Sequence, residues 1–297
     1  MKTLLILLTS FLFLHQTATA QLNNEKTLLW KVTGKGIKPS YVFGTIHIIQ
    51  KDNFFWTEEM DKSLKKCQQL VMEVDMSKLF ETSMIMMKMA PMDGDSALSD
   101  LLPEEDYLTI KNFFEKESKS AEVKMTPFSM IENWKPMLLQ SFLVSEMIEG
   151  PVKMYEQEIM AKAKSHKMTF GGLETVEDQM KALDYTSYSQ QAKDLLELVQ
   201  SIKEGSGSVL EFQTMIELYK QQDIDELYSY IEKETGGSGG VMQTALLDQR
   251  NKAWIPKIKE MSAKNKVFYA VGAGHLSGES GILNLLRKEG YKVTPLR

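Results

Sequence analysis

The fold is decided by Val267-Phe268-Tyr269-Ala270-Val271-Gly272-Ala273-Gly274-His275, an apolar run that ends in a Gly-x-x-His motif. Its apolar part, residues 266–271, predicts a buried β-strand. A second stretch near the other end of the chain, Tyr41-Val42-Phe43-Gly44-Thr45-Ile46-His47, has the same arrangement. Histidine is the side chain best suited to metal ligation and proton transfer near neutral pH. The sequence therefore contains two apolar strands that each end in a candidate functional histidine.

The remaining predicted strands are short, apolar and separated by helical segments. They lie at residues 28–32, 40–43, 70–75, 168–172 and 291–295. The first two flank a glycine-rich turn at residues 34–36, which predicts an antiparallel hairpin. Strands that alternate with helices indicate an α/β fold. We therefore expect a small mixed β-sheet with an N-terminal hairpin, flanked by helices.

Helical patterns fill the long intervals between these strands. One covers about 77–165 and is punctuated by prolines, and another covers about 185–264 and is interrupted by glycine-rich joints at 204–207 and 235–240. This length exceeds what a simple crossover connection needs. We therefore predict a large helical insertion over the sheet, within a single domain at residues 21–297.

The first 20 residues have the composition of a secretory signal peptide. Lys2 is followed by an apolar run at residues 4–14, and Ala18-Thr19-Ala20 matches the cleavage motif, so the mature chain begins at Gln21. The apolar run is shorter than the roughly 20 residues that a membrane span needs. We expect a soluble exported protein, periplasmic or secreted, without stable membrane insertion after cleavage.

Charge and cysteine content exclude two further classes of protein. The formal charge is −5 and becomes −6 when Lys2 is removed with the signal peptide. No basic cluster is present, which argues against a nucleic-acid partner. Cys67 is the only cysteine, so no disulfide forms within the chain. We expect its side chain to be a small apolar filler of the core.

The candidate site residues follow the predicted strands. Ligands of open α/β sheets bind beyond the carboxyl ends of the strands. His47 and His275 follow two strands, Glu73 and Asp75 end a third on one face, and Glu174 follows a fourth. These side chains are expected to converge on one site. Two histidines and one carboxylate can hold a divalent metal and leave positions open for water or substrate.

Several alternatives remain open from the residues alone. Each histidine also fits a hydrogen-bonded structural role, and Arg250 is either a surface charge on a helix or a partner of Glu73 or of a substrate carboxylate. A methionine-rich segment at 84–92 is typical of packing or of a binding groove, with Cu(I) binding as the alternative. The sequence contains no His-Glu-x-x-His, Gly-x-Ser-x-Gly or P-loop motif.

The whole mature chain resembles the TraB/GumN family, which is related to the Tiki proteases. The matching positions are Leu29-Trp30, Phe43-Gly44-Thr45-Ile46-His47, Glu73-Val74-Asp75, Gly172-Leu173-Glu174-Thr175, Arg250-Asn251 with Trp254, and Val271-Gly272-Ala273-Gly274-His275-Leu276. The resemblance implies a metal-dependent hydrolase. It also implies a site formed by the two Gly-x-x-His motifs and the acidic residue of the Glu73-Val74-Asp75 strand.

These observations lead to a prediction of an exported metal-dependent hydrolase of the metallopeptidase type. His47, Glu73 and His275 are predicted to hold a divalent ion, for which Zn, Mn and Co are all compatible with the ligands. Glu174 is predicted to act as general base or as a further ligand. Arg250 is predicted to orient a carboxylate or to stabilise developing oxyanion charge. The predicted partner is a peptide or small-molecule substrate.

Two other functions fit the same sequence. The first is a non-catalytic exported protein of the same fold that binds haem or a peptide. It would use the same histidines but would need a larger apolar pocket, which the methionine-rich segment at 84–92 could line. The second is a degenerate fold that is kept for interaction with a partner.

Overall fold

The structure is a computed structural model that describes residues 26–235 and 244–297. The predicted signal peptide at 1–20 lies outside the described residues, as does most of the predicted joint at 235–240. The fold is mixed α/β, as the sequence predicts.

The described strands form a mixed six-stranded sheet and a small two-stranded ribbon. They are β1 (Leu29–Thr33), β2 (Ser40–Thr45), β3 (Ile49–Gln50), β4 (Gln69–Met72), β5 (Val152–Lys153), β6 (Thr169–Gly172), β7 (Val267–Gly272) and β8 (Lys292–Leu296). The order in the sheet is β6-β4-β7-β2-β1-β8, and β3 pairs with β5 in the ribbon. The predicted N-terminal hairpin is confirmed, because β1 and β2 pair antiparallel with Leu29 opposite Phe43.

Four neighbouring strands of the sheet run parallel. β7 pairs parallel with both β2 and β4, and β4 pairs parallel with β6. Strands buried on both faces carry continuous apolar sequences, and residues 267–271 of β7 are all buried. The parallel pairing brings the carboxyl ends of β2, β4, β6 and β7 to one edge of the sheet.

Helices cover the sheet and form the predicted insertion. Those before residue 150 are α1 (Glu58–Lys65), α2 (Leu79–Met89), α3 (Leu98–Leu101), α4 (Glu104–Asn112), α5 (Ala121–Met125) and α6 (Pro136–Leu143). Those after it are α7 (Tyr155–Ser165), α8 (Val176–Ala182), α9 (Tyr188–Glu204), α10 (Ser208–Lys220), α11 (Ile224–Thr235), α12 (Gln249–Lys264) and α13 (Ile282–Lys288). Thr57 and Thr175 cap α1 and α8 by accepting backbone N–H bonds at 3.2 Å.

The helical insertion has a hydrophobic core separate from that of the sheet. It is built by α3, α4, α6 and α9 and includes Leu98, Ile110, Leu139, Leu143, Leu195 and Val199, all fully buried. Cys67 belongs to the core of the sheet, where burial raises the pKa of its thiol to about 12, as expected of an apolar filler.

The methionine-rich segment divides between surface and core. Met84, Met86 and Met87 are exposed on α2, whereas Met92 is buried. Packing in the core therefore does not explain Met84, Met86 and Met87, and their role in a binding groove stays a prediction.

Candidate active site at the strand ends

The four parallel strands deliver their following residues to one edge of the sheet, as the sequence analysis predicts. Glu73 follows β4 directly, Glu174 comes two residues after β6, and His47 comes two residues after β2. His275 lies in a short 3-10 turn that follows β7. The edge therefore gathers the candidate residues from four separate parts of the chain.

Asp75 does not share the position of Glu73. The strand predicted at 70–75 ends at Met72, and Asp75 begins a 3-10 turn at Met76–Lys78. The Asp75 carboxylate accepts hydrogen bonds from the backbone N–H of Ser77 at 3.0 Å and from its hydroxyl at 2.6 Å. Glu73 and Asp75 were predicted to lie in one strand with both carboxylates on the same face. This prediction is wrong, because β4 ends at Met72, before either residue.

Arg250 joins the two remaining carboxylates at the centre of the site. Its Nη2 donates to Glu73 Oε2 at 2.7 Å and to Glu174 Oε1 at 2.5 Å. Its Nη1 donates to the carbonyl of Leu246 at 2.8 Å. All three charged side chains are at most 15% exposed, so solvent screens these ion pairs weakly. Arg250 is thus a buried partner of Glu73 and not a surface charge.

Glu174 has no free acceptor position in this arrangement. Each of its oxygens accepts from Arg250 Nε at 3.1 Å, and one also accepts from Arg250 Nη2. The other accepts from Trp254 Nε1 at 3.0 Å. A carboxylate offers about two acceptor positions on each oxygen. These contacts favour a role for Glu174 in positioning Arg250 over its predicted roles as base or ligand.

His275 is held in a fixed orientation by its neighbours on α12. Its Nδ1–H donates to Asn251 Oδ1 at 2.7 Å, and its ring packs against Trp254 with ring centroids 4.5 Å apart. Asn251 in turn donates to the backbone carbonyls of His275 and Ser280. The ring nitrogen Nε2 therefore remains as the unprotonated one, 3.4 Å from Arg250 Nη1.

The Glu73 carboxylate lies beside Nε2 of His275. Its Oε1 is 3.6 Å from His275 Nε2 and accepts from the Gly272 backbone N–H at 2.8 Å. Its Oε2 accepts from Gln179 of α8 at 3.2 Å. Burial raises the pKa of Glu73, but the charges of His275 and Arg250 lower it more, and the pKa lies at about 2. Burial lowers the pKa of His275 to about 4, so this imidazole is neutral at pH 7.

His47 lies at the open side of the site. Its side chain is 73% exposed, and its Nδ1–H donates to Glu156 Oε1 at 3.1 Å. This hydrogen bond raises the pKa of His47 to about 9, and the charges of Glu73 and Arg250 act on the same ring in opposite directions. His47 is therefore within electrostatic reach of the buried centre, although it contacts a different carboxylate.

The two motifs also touch through their backbone. A Cβ atom on Gly44 would lie 2.8 Å from Leu276 Cδ1 and 3.1 Å from Ala273 Cα. Glycine at position 44 thus allows the turn that carries His275 to approach β2 closely. The glycine of the first motif therefore leaves the space that the turn of the second motif occupies.

Sequence reasoning missed Glu156 and Gln179 and gave no role to Asn251 or Trp254. Arg250 and Trp254 are four residues apart on α12 and therefore lie on one helix face, a signal that could have linked them. No comparable signal marks Glu156, which is one of two acids in the first turn of α7. Its contact with His47 depends on the placement of α7 against the sheet.

Known proteins resemble the chain over most of its length. The profile of the TraB/PrgY/gumN family matches residues 28–295, a range that includes all the site residues described above. The chain belongs to the TraB/PrgY/gumN family. No solved structure matches the chain.

Curated relatives of this family member are Tiki metalloproteases. Metalloprotease TIKI1 of Danio rerio is 23% identical over 94% of this chain and 64% of its own length. Metalloprotease TIKI1 of Homo sapiens is 23% identical over 93% of the chain and 64% of its length. Metalloprotease TIKI2 of Xenopus tropicalis is 22% identical over 90% of the chain and 59% of its length. The chain thus spans less than two thirds of the length of these relatives.

The buried part of the site fits a divalent metal at two ligand positions. The 3.6 Å between His275 Nε2 and Glu73 Oε1 suits two ligands of one ion with bonds of about 2.0–2.2 Å. A ligating histidine usually donates its other ring N–H to a fixed acceptor, as His275 does to Asn251. Within residues 26–235 and 244–297, however, no group of three His, Cys, Asp or Glu side chains is placed to hold a metal.

Among the described helices, none combines the length and the apolar character needed to span a membrane.

Proposed function

We propose that this chain is an exported metal-dependent hydrolase of the metallopeptidase type. The observation that carries the proposal is the buried pair of His275 and Glu73, whose Nε2 and Oε1 atoms lie 3.6 Å apart at the strand ends. The family-wide similarity to Tiki metalloproteases supports the same class of activity. The substrate we propose is a peptide, with a small molecule as the alternative.

We assign His47, Glu73 and His275 as the metal ligands. His275 and Glu73 are buried and hydrogen-bonded, so their positions are fixed by the fold. The His47 side chain is exposed and bonded to Glu156 through Nδ1, so we assign its Nε2 as the third ligand atom. Zn²⁺, Mn²⁺ and Co²⁺ all suit this ligand set. Such an ion, when bound, lowers the pKa of water and polarises a carbonyl group.

Arg250 supplies positive charge beside the ligands. Four of its five N–H groups are used by Glu73, by Glu174 (two groups) and by the carbonyl of Leu246. The remaining Nη1–H donates to His275 Nε2 over a long 3.4 Å, and a substrate oxygen would accept from it in place of that nitrogen. Glu174 and Trp254 keep this guanidinium in place. We therefore propose that Arg250 stabilises developing negative charge or orients a substrate carboxylate.

The helical insertion supplies a wall for the substrate. α8 carries Gln179, which donates to Glu73, and α2 packs against α8. Large apolar side chains on α2 stay exposed, namely Leu79, Phe80, Met84, Met86 and Met87. An exposed apolar surface on a helix that packs against α8 suits the binding of apolar peptide side chains. This surface is our reason for proposing a peptide over a small polar substrate.

The decisive experiment measures metal binding and peptide cleavage on the same samples. Mature protein is stripped with a chelator, incubated with Zn²⁺, Mn²⁺ or Co²⁺, and analysed for bound metal and for cleavage of a peptide library. We expect both signals in the wild type and neither in His275→Ala or Glu73→Gln. His166→Ala is the matched control, because His166 is exposed at the end of α7. The proposal fails if the wild type binds none of the ions, or if His275→Ala binds as much as wild type.

The haem-binding alternative makes a different prediction for the same samples. A haem ligand requires an apolar pocket, whereas charged Glu73, Glu174 and Arg250 surround His275. We therefore expect haem titration to give no Soret band that depends on His275.

Export is the remaining part of the proposal. Protein recovered from outside the cytoplasm of expressing cells should begin at Gln21 by N-terminal sequencing. An intact Met1 on all the protein would contradict it.

A further inference from the structure

Glu156 holds both polar side chains of the first Gly-x-x-His motif. Its Oε1 accepts from the Thr45 hydroxyl at 2.9 Å and from His47 Nδ1 at 3.1 Å. These two residues flank Ile46, so a single carboxylate oxygen fixes the turn on both sides. The conformation of the motif is therefore tied to α7, which lies more than 100 residues later in the chain.

The fold fixes α7 independently of the site. Tyr155, next to Glu156, is fully buried, and its hydroxyl donates to the carbonyl of Phe55 at 3.1 Å. Its ring packs edge-on against Tyr219, with centroids 5.5 Å apart. Tyr219 donates to the carbonyl of Gly44 at 3.0 Å, which is the first residue of the motif. The carboxylate of Glu156 is thus presented to His47 by a rigid aromatic support.

The other oxygen of Glu156 has an unusual environment. Glu156 Oε2 is buried and has no hydrogen-bond partner among the described residues. Leaving a carboxylate oxygen buried and unpaired costs free energy, so this arrangement is a poor device for stability alone. A carboxylate in this position is better explained by what its first oxygen does to His47.

We propose that Glu156 is the positioning residue of His47: it accepts the Nδ1–H bond, so that Nε2 is the ring nitrogen that gives up its proton when His47 binds a ligand. The same relation exists at His275, where Asn251 accepts the Nδ1–H bond. Outer partners of this kind orient ligating histidines and fix their tautomer. The proposal deepens the proposed function and rests on it only in that His47 is taken as a site residue.

Metal affinity is the first test. Loss of an outer partner typically lowers metal affinity by about 10- to 100-fold. We expect that loss for Glu156→Ala when Co²⁺ or Mn²⁺ binding is measured by calorimetry, and a smaller loss for Glu156→Gln, which keeps an acceptor oxygen. The matched control is Glu158→Ala, because Glu158 lies in the same first turn of α7 and pairs with Lys153. Unchanged affinity in Glu156→Ala would overturn the proposal.

A double-mutant cycle separates positioning from a general effect on folding. If Glu156 acts through His47, removing it in a His47→Ala background causes no further loss of affinity. An additional 10-fold loss in the double variant would instead show that Glu156 acts elsewhere, and the proposal would be wrong. Circular dichroism of each variant confirms that the fold is retained.

The ring nitrogens of His47 give a readout that needs no metal. In ¹⁵N-histidine spectra of chelator-treated protein recorded above pH 9, where His47 is neutral, we expect a hydrogen-bonded Nδ1–H signal from His47 in wild type and Glu158→Ala. We expect Glu156→Ala to show the averaged tautomers of a free imidazole. If wild type binds no metal, the proposed function fails while this spectrum still decides the positioning role. A His47 spectrum that is unchanged in Glu156→Ala overturns that role.

Discussion

The two Gly-x-x-His motifs share a sequence pattern but differ in almost every physical property. His275 is 4% exposed and donates to the neutral Asn251, whereas the His47 side chain is 73% exposed and donates to the charged Glu156. The motif therefore determines where each histidine is placed, at the carboxyl end of a strand. The partner of Nδ1 and the degree of burial determine its charge.

This difference suggests separate duties within one site. His275 belongs to a buried centre with Glu73, Arg250 and Glu174, where each charge has a partner. His47 lies outside that centre and is joined to it through the backbone contact of Gly44 with the turn at 273–276. We expect substitutions in the centre to affect stability and function together at every pH, and those at His47 to affect function throughout but stability only where His47 is protonated.

Arg250→Ala provides the strongest test of this contrast. Removing the guanidinium leaves Glu73 and Glu174 buried without their shared partner. Breaking a buried ion pair in this way costs about 3–5 kcal/mol, because an uncompensated charge remains. We expect a loss of that size in the free energy of unfolding, measured with denaturant on metal-free protein.

Lys259→Ala is the control for this experiment. Lys259 is on the same helix, α12, and pairs with Glu289 at the surface. Exposed pairs contribute little to stability, so we expect no measurable change. Equal losses in the two variants would show that Arg250 is not at a buried centre.

Gly44→Ala tests the contact between the motifs. The new Cβ would lie 2.8 Å from Leu276 Cδ1 and 3.1 Å from Ala273 Cα, and both residues are buried. Overpacking of this kind typically costs about 1–3 kcal/mol. Gly272→Ala, whose Cβ would meet atoms no closer than 3.3 Å, should cost less. Thermal unfolding of both variants measures the difference, and a larger loss for Gly272→Ala would contradict the proposed contact.

Removing each histidine in turn separates stability from function. His275→Ala leaves Asn251 Oδ1 without its buried donor, which costs about 1–3 kcal/mol. His47→Ala changes an exposed side chain whose ion pair with Glu156 contributes only while His47 is protonated, so above pH 9 it should stay within about 0.5 kcal/mol of wild type. We nevertheless expect both variants to lose peptide cleavage. Retained cleavage in His47→Ala would remove His47 from the site.

The sequence was sufficient to predict the elements whose residues repeat with a clear period. The hairpin of β1 and β2 and the buried strand β7 were both found in this way. The end of β4 was placed three residues too late, because Val74 continues the apolar pattern of the strand. That error put Asp75 beside Glu73, whereas its carboxylate binds the backbone of Ser77.

The partners of the site residues were harder to predict than the residues themselves. Glu156 meets His47, and Gln179 meets Glu73, across more than 100 residues of chain. Neither contact depends on a local period, since each requires the packing of one helix against the sheet. The free acceptor positions of Glu174 likewise could not be judged until Arg250 and Trp254 were placed around it.

Titration of the two imidazoles in metal-free protein is the most direct comparison. The hydrogen bond to Glu156, with a contribution from the charge of Glu73, raises the pKa of His47 to about 9 against the opposing charge of Arg250. Burial lowers the pKa of His275 to about 4. The charge of Glu73 opposes this shift, and the charge of Arg250 adds to it. We expect NMR to show His47 charged and His275 neutral at pH 7, and equal pKa values near 6.5 would contradict the comparison.

The stability consequences of the two shifts have opposite signs. His47 contributes stability that is complete below pH 6.5 and is lost as the pH rises toward 9, because the folded state holds its proton more tightly. His275 contributes stability that is present above pH 6.5 and is lost as the pH falls toward 4, because the folded state excludes that proton. His47→Ala should therefore flatten the alkaline side of a pH–stability curve, while His275→Ala flattens the acid side. Denaturant titrations of metal-free protein from pH 4 to 9 measure both, and a His47 variant that changes only the acid side would reverse the assignment.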